Sequence, residues 1–257
     1  MSTFNFLFSA KPPKQESGMI MHNERIIKYS IQRSSKRRSI ALGIDLHNGL
    51  KINAPHKATT KTVEDIIRKK IKWIIRHLQS HEELKKMLPT HNFVNAESFL
   101  YLGSSITLKV IDDPYCKRVR SSIEKDILTI VMPNVAEPIK REHTRKALIS
   151  WYRKCAEEIV TSRTEKYAGL LGISFYRIAI REQKKIWGSC SFKGIIRINW
   201  KIVMAPISVV DYVVVHELCH IKIRNHSSNF WDLVASILPD YRERRLVLKK
   251  EGIKFTL

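Results

Sequence analysis

Acidic residues are scarce in this chain: 24 Asp and Glu stand against 46 Lys and Arg, a formal net charge of +22 over 257 residues. A surface so short of carboxylates does not repel phosphates; it concentrates them, which points to nucleic acid or another polyanion as a partner. A basic solvated face is the plainer alternative. The excess is not confined to one tail. Residues 1–90 hold 18 basic and 7 acidic side chains, residues 91–175 hold 13 and 10, and residues 176–257 hold 15 and 7. No motif that reads bases accompanies the charge, so any nucleic-acid contact is expected to be non-specific.

Long apolar runs are missing too. None approaches the ~20 residues needed to span a bilayer, so no membrane partner is expected. Phe4-Asn5-Phe6-Leu7-Phe8 is short, with no basic residue before it, and does not read as a secretory signal. Cys116, Cys155, Cys190 and Cys219 are scattered without disulfide-framework spacing, which suits a reducing, cytoplasmic setting. There is no glycine-rich phosphate loop. Nor is any four-ligand Cys/His set spaced for a closed structural zinc site.

What is present is His216-Glu217-Leu218-Cys219-His220, followed by His226. Imidazoles four residues apart on a helix share one face, so both reach one metal ion. The apolar run Val209–Val215 predicts that this helix is buried, continues through Arg224 and ends with Asn225 as a left-handed cap. That cap would swing His226 back as a third ligand and leave a fourth position for water. Glu217 stands where it can take a proton from that water. One zinc per chain, held by His216, His220 and His226 with Glu217 catalytic, is the expected centre. The spacing from His220 to His226 also fits the long metzincin pattern, but Ile223 stands where that pattern needs glycine, and no Met follows Met204. Asp211 either fixes a histidine tautomer or opposes the helix dipole.

Residues 1–23 show little pattern and predict a mobile tail. Ile26–Ile31, Ser39–Ile44 and Leu50–Ala54 read as strands, with a basic loop Arg33, Lys36, Arg37, Arg38 and a tight turn at Asn48-Gly49. The apolar periodicity from Thr62 to Met87 predicts one helix. Leu50, Ile52, Pro55 and Trp73 recur 78 residues later as Leu128, Ile130, Pro133 and Trp151, which suggests a duplicated ββα element. The expected architecture is α+β: a basic β-rich region with one helix over 24–135, then a zinc metallohydrolase domain over 136–257. Strands at Tyr176–Arg181 and Ile195–Trp200 precede the metal helix. Trp187, Gly188, Ser189, Ser191 and Asn199 are candidate substrate contacts: Gly188 permits close backbone approach and the serines offer hydroxyls. The alternative is a serine-held hairpin turn, with Trp187 and Trp200 as core.

These residues carry a resemblance. Ile186-Trp187-Gly188-Ser189-Cys190-Ser191, Gly194, Arg197-Ile198-Asn199-Trp200, Pro206, Asp211-Tyr212, the His216–His220 motif, Asn225-His226-Ser227 and Phe230-Trp231 together resemble the YgjP-like metal-dependent hydrolases, relatives of the minigluzincins. The resemblance implies zinc at His216, His220 and His226, catalysis by Glu217, and a β-hairpin packed beside the metal helix. It implies a metallopeptidase or, alternatively, a nucleotide (UTP) pyrophosphatase. The first is expected to take an extended peptide along the hairpin edge near Ile195–Trp200. The second would draw Arg33, Lys36, Arg37 and Arg38 onto phosphates. A protease or module acting on nucleic-acid-associated proteins would use both the charge and the site.

Overall fold

The computed structural model describes residues 15–45, 49–86, 88–183 and 186–257, and the chain divides into two compact units, Met1–Met87 and Leu88–Leu257.

In the first unit, strands β1 (Gln15–His22), β2 (Arg25–Ser34), β3 (Ala41–Asp45) and β4 (Gly49–Pro55) precede helices α1 (Thr60–Lys69) and α2 (Ile71–Lys86). The strand order is β1-β2-β4-β3, with β2 and β4 parallel and both outer pairs antiparallel. Alternation decides which face is buried: Ile27, Tyr29 and Ile31 of β2 and Leu50, Ile52 and Ala54 of β4 point into one core. Val63 and Ile67 of α1, with Ile71 and Ile74 of α2, fill its other side. Thr59 caps α1 by accepting from the Thr62 N–H at 3.1 Å. The Tyr29 hydroxyl donates to Glu64 at 2.9 Å and ties sheet to helix.

Three expectations change here. Of the expected tail 1–23, residues 1–14 lie outside the described residues, while 15–22 form β1, its backbone paired residue for residue with β2. Asn48 also lies outside them, and Gly49 takes a left-handed φ of +69°. The single helix expected over 62–87 is two, because Lys70 leaves helical geometry at φ −102°, ψ 11°.

The second unit opens with the same plan. Strands β5 (Ser98–Tyr101), β6 (Ser104–Asp112), β7 (Arg120–Glu124) and β8 (Ile127–Met132) run in the order β5-β6-β8-β7, again with a parallel central pair. Leu128 and Ile130 on β8 are fully buried, as Leu50 and Ile52 are on β4. The duplication is therefore a whole four-stranded module, larger than the ββα element the sequence suggests. Helix α3 (Ile139–Leu171) follows and stops at Gly172, whose left-handed φ of +57° a residue with a side chain rarely adopts.

Next come β9 (Arg177–Arg181), β10 (Gly188–Cys190) and β11 (Ile195–Asn199), a short helical turn Trp200–Met204, then α4 (Ile207–Lys222), α5 (Ser228–Ile237) and α6 (Tyr241–Glu251). The small sheet runs β10-β11-β9. One core joins the β5–β8 sheet, α3 and α4, from Leu108, Leu128 and Ile130 through Tyr152 and Val160 to Val210, Val214 and Leu218. That continuity puts the boundary at Met87/Leu88 and not at 135/136: cutting before α3 would split a single core.

Candidate metal centre

Helix α4 is buried on every side around its middle, from Val209 to Val215 and again at Leu218 and Cys219. Its last turns carry His216 and His220 on one face. The helix stops at Lys222, two residues short of the expected end. Ile223 leaves it in extended geometry, φ −129° and ψ 112°, and Asn225 is not left-handed. The difference has a chemical consequence. The Ile223 carbonyl lies 3.1 Å from Nδ1 of His220. A carbonyl only accepts, so Nδ1 carries the proton and Nε2 keeps its lone pair for the cleft.

The loop returns His226 so that its Nε2 lies 3.1 Å from Nε2 of His216. One donor atom from each of His216, His220 and His226 falls within 4.8 Å of the others. Burial, then the neighbouring His220, His226 and Arg245, push the His216 imidazole down to about 3. Burial lowers His220 also, against the Ile223 carbonyl. Both rings are thus held neutral, with lone pairs converging on one point. An all-imidazole set of this kind suits a borderline divalent ion with an open fourth position; the residues fit zinc.

Aromatic rings pack against all three histidines. Phe230 of α5 stacks on His220 at 4.6 Å and meets His216 and His226 edge-on at 5.0 and 4.9 Å. Trp231 stacks on His226 at 5.6 Å and on Tyr241 at 5.3 Å. In the sequence this pair figures only in the family resemblance. Its one advance signal is its place four and five residues after His226.

Glu217 is almost wholly buried, and desolvation raises its carboxyl to about 8. A cation beside it favours the charged form. Gly188 of β10 explains how the carboxyl fits: a Cβ there would lie 2.6 Å from Glu217 Oε1 and 2.7 Å from its Cγ. The close approach expected of Gly188 is therefore to this glutamate.

Other candidates are placed differently from one another. Asp211 takes neither of its two expected roles. Its oxygens receive Arg163 Nε and Nη2 at 2.5 Å each, with Arg244 at 3.9 Å, so the carboxylate braces α3, α4 and α6 beneath the histidines. Asn199 is buried; its Nδ2 donates to the Gln183 carbonyl at 2.8 Å and its Oδ1 accepts from the Lys201 N–H at 3.2 Å, leaving it a structural tie and not a substrate contact. Ser191 Oγ accepts from the Ile195 N–H at 3.1 Å and shapes the hairpin. Ser189 meets Gln183 Nε2 at 3.5 Å on β10. Trp187 packs edge-on to Phe255 at 6.0 Å, and Trp200 is core. Arg224, not anticipated, donates to the Ser191 and Phe192 carbonyls at 3.0 and 3.3 Å and pins the hairpin tip. The strand expected to offer an edge, β11, lies between β10 and β9; of the sheet's two edge strands, β10 is the one that runs beside Glu217.

In the first unit, Arg33 is not free for a polyanion. It donates to Glu16 at 2.8 Å, to the Ala58 carbonyl and to Thr60. Lys36, Arg37 and Arg38 are exposed on the turn after β2.

Residues 38–251 match the sequence pattern of the YgjP-like metallopeptidase domain. The chain belongs to the YgjP-like family. The YgjP-like match begins in the first unit and ends on α6, so membership is a property of both units. Among solved structures, the chain is similar to the metallopeptidase zymogen abylysin of Pyrococcus abyssi, at 28% identity over 36% of this chain and 95% of that one, with a TM-score of 0.33. It is also similar to the zymogen jannalysin of Methanocaldococcus jannaschii, at 23% identity over 36% and 96%, with a TM-score of 0.34. No curated protein matches it. No helix among the described residues is long and apolar enough to cross a membrane.

Proposed function

We propose that this YgjP-like protein is a zinc-dependent metallopeptidase that binds one zinc through His216, His220 and His226 and uses Glu217 as its general base. The convergence of three imidazole nitrogens beside a buried glutamate carries the reading. Zinc, when bound, supplies a Lewis acid that polarises the scissile carbonyl and acidifies a neighbouring water. Glu217 takes the proton of the attacking water and returns it to the leaving amine. Phe230 and Trp231 pack against the imidazole rings and hold them in place. The Ile223 carbonyl keeps His220 in the tautomer that offers Nε2. The open edge of β10, which begins at Gly188 against Glu217, supports an extended peptide lying antiparallel or parallel to it, its carbonyl turned toward the histidines.

Purified zinc-loaded protein and its Glu217→Gln variant should be tested on unfolded protein, protein–DNA adducts and nucleoside triphosphates. The variant keeps zinc by elemental analysis and its cooperative unfolding, while peptide hydrolysis falls by about 10³-fold. Peptide cleavage that survives in Glu217→Gln sinks the assignment of the base. Turnover of nucleoside triphosphates with no peptide cleavage makes the protein a pyrophosphatase.

A further inference from the structure

Several arginines around the centre are engaged by protein groups. Arg163 holds Asp211, Arg224 pins the hairpin tip, and Arg244 binds Asp240 and the Ser208 carbonyl. Arg245 of α6, one residue on, is exposed and has neither a carboxylate partner nor a hydrogen bond among the described residues. What holds it is a stack, with the guanidinium carbon 5.0 Å from the centre of the Trp231 ring. That indole is the same one that lies 5.6 Å from His226 and 5.9 Å from His216. A permanent cation therefore stands one aromatic ring away from the three histidines.

A guanidinium held over a ring, with no carboxylate partner among the described residues, is a prepared receptor. Stacking restricts the side chain before any ligand arrives, and the planar fork matches a carboxylate with two parallel N–H···O bonds. An extended peptide advances about 3.3 Å per residue, so an anion reaching Arg245 belongs to a residue one or two positions from a bond held at the histidines. Within a peptide the available anion is a carboxylate, from an Asp or Glu side chain or from the chain's C-terminus. We infer that Arg245 is a specificity-determining residue that receives a substrate carboxylate one or two residues from the scissile bond. This rests on the peptidase reading above. The overall charge of +22 favours the same substrates before contact, by drawing acidic chains toward the protein.

The test uses full-length, zinc-loaded protein and fluorescent peptides built around one cleavable bond. Glu, Gln or Lys is scanned through the two positions on either side, with the C-terminus free or amidated. Binding is read by anisotropy on Glu217→Gln protein and cleavage on protein with Glu217 intact. The best Glu peptide should bind about tenfold tighter than its Gln counterpart. Arg245→Gln should abolish that ratio while zinc content and thermal midpoint stay unchanged, and Arg245→Glu should reverse it in favour of Lys. Preference in amidated peptides assigns the carboxylate to a side chain; preference confined to the free C-terminus assigns it to the chain end. Either supports the inference. Acidic and neutral peptides that bind and turn over with the same ratio in Arg245→Gln as with Arg245 intact overturn it while leaving the peptidase reading standing. Failure of every peptide to bind or be cleaved overturns that reading, and this inference with it.

Discussion

The module of β1 to β4 and the module of β5 to β8 share strand order, a parallel central pair and buried residues 78 positions apart, yet the helices that follow them live in different surroundings. After the first module, α1 and α2 are apolar on the side that meets the sheet, through Val63, Ile67, Ile71 and Ile74, and Trp73 remains 39% exposed. After the second, α3 buries Leu148, Trp151, Tyr152, Cys155, Ala156 and Val160 along one broad face, and Trp151, the counterpart of Trp73, is 7% exposed. The first helix pair closes one sheet. Helix α3 serves two layers, because α4, which carries His216 and His220, packs on it as well. The proposed chemistry thus lies in the module whose helix carries a second layer.

The sharpest break of this comparison comes from the paired tryptophans. Trp151→Ala opens a cavity between layers and should cost about 3–5 kcal/mol, while Trp73→Ala, on an exposed helix face, should cost under about 1 kcal/mol. Urea midpoints measured at constant m-value give both numbers. Equal costs would mean that α3 is no more central to its unit than α2 is to the other.

A second prediction separates scaffold from chemistry inside the second unit. Gly188→Ala puts a methyl group where Glu217 Oε1 lies 2.6 Å away. The obstruction is the far end of a flexible side chain, so the glutamate moves aside and the fold persists. Zinc binding should be retained while kcat falls about a hundredfold, or about 2.7 kcal/mol in the barrier. Full activity in Gly188→Ala would show that the carboxyl does not need its present position.

The helix that brings His216 and His220 onto one face was legible in the sequence, because helical period fixes which residues four apart lie together. The repeat was legible for a related reason, since buried strand positions recur with a period of two. The ending of α4 was not. Ile223 in extended geometry follows from the pull of a tertiary loop and from the His220 ring, neither of which has a local signature, whereas asparagine as a left-handed cap is a local preference that tertiary context overrode. The Arg163–Asp211 brace joins residues 48 positions apart, and nothing periodic announces such a pair. Arg33 misled for the same reason: a basic run reads as one surface, but burial of its first member against Glu16 and Ala58 is decided by β1, in a stretch that reads as tail.

The smallest expected effect returns to the two modules and their loops. Lys36, Arg37 and Arg38 lie on the turn after β2, whereas the matching stretch after β6 begins Asp112-Asp113, with Asp112 bound to Lys140 at 2.6 Å and Asp113 near Arg120 at 3.7 Å. Among the described residues, the same topological loop is thus a cationic turn without a carboxylate partner in one module and a charge-paired one in the other. We propose that the first loop contacts polyanions through phosphates. Changing Lys36, Arg37 and Arg38 to glutamate should weaken binding to DNA, RNA and heparin alike, because phosphate contacts carry no base information. It should also flatten the dependence of log K on log salt by about 0.9 for each duplex phosphate that is no longer neutralised. Reversing Lys117 and Arg118 in the second module should change neither slope nor affinity appreciably. Arg33→Glu should instead show up as reduced stability, since that side chain ties β1 and the start of α1 to β2. A titration in which both loop reversals flatten the slope equally would assign the polyanion contact to the net charge of the chain and not to the turn after β2.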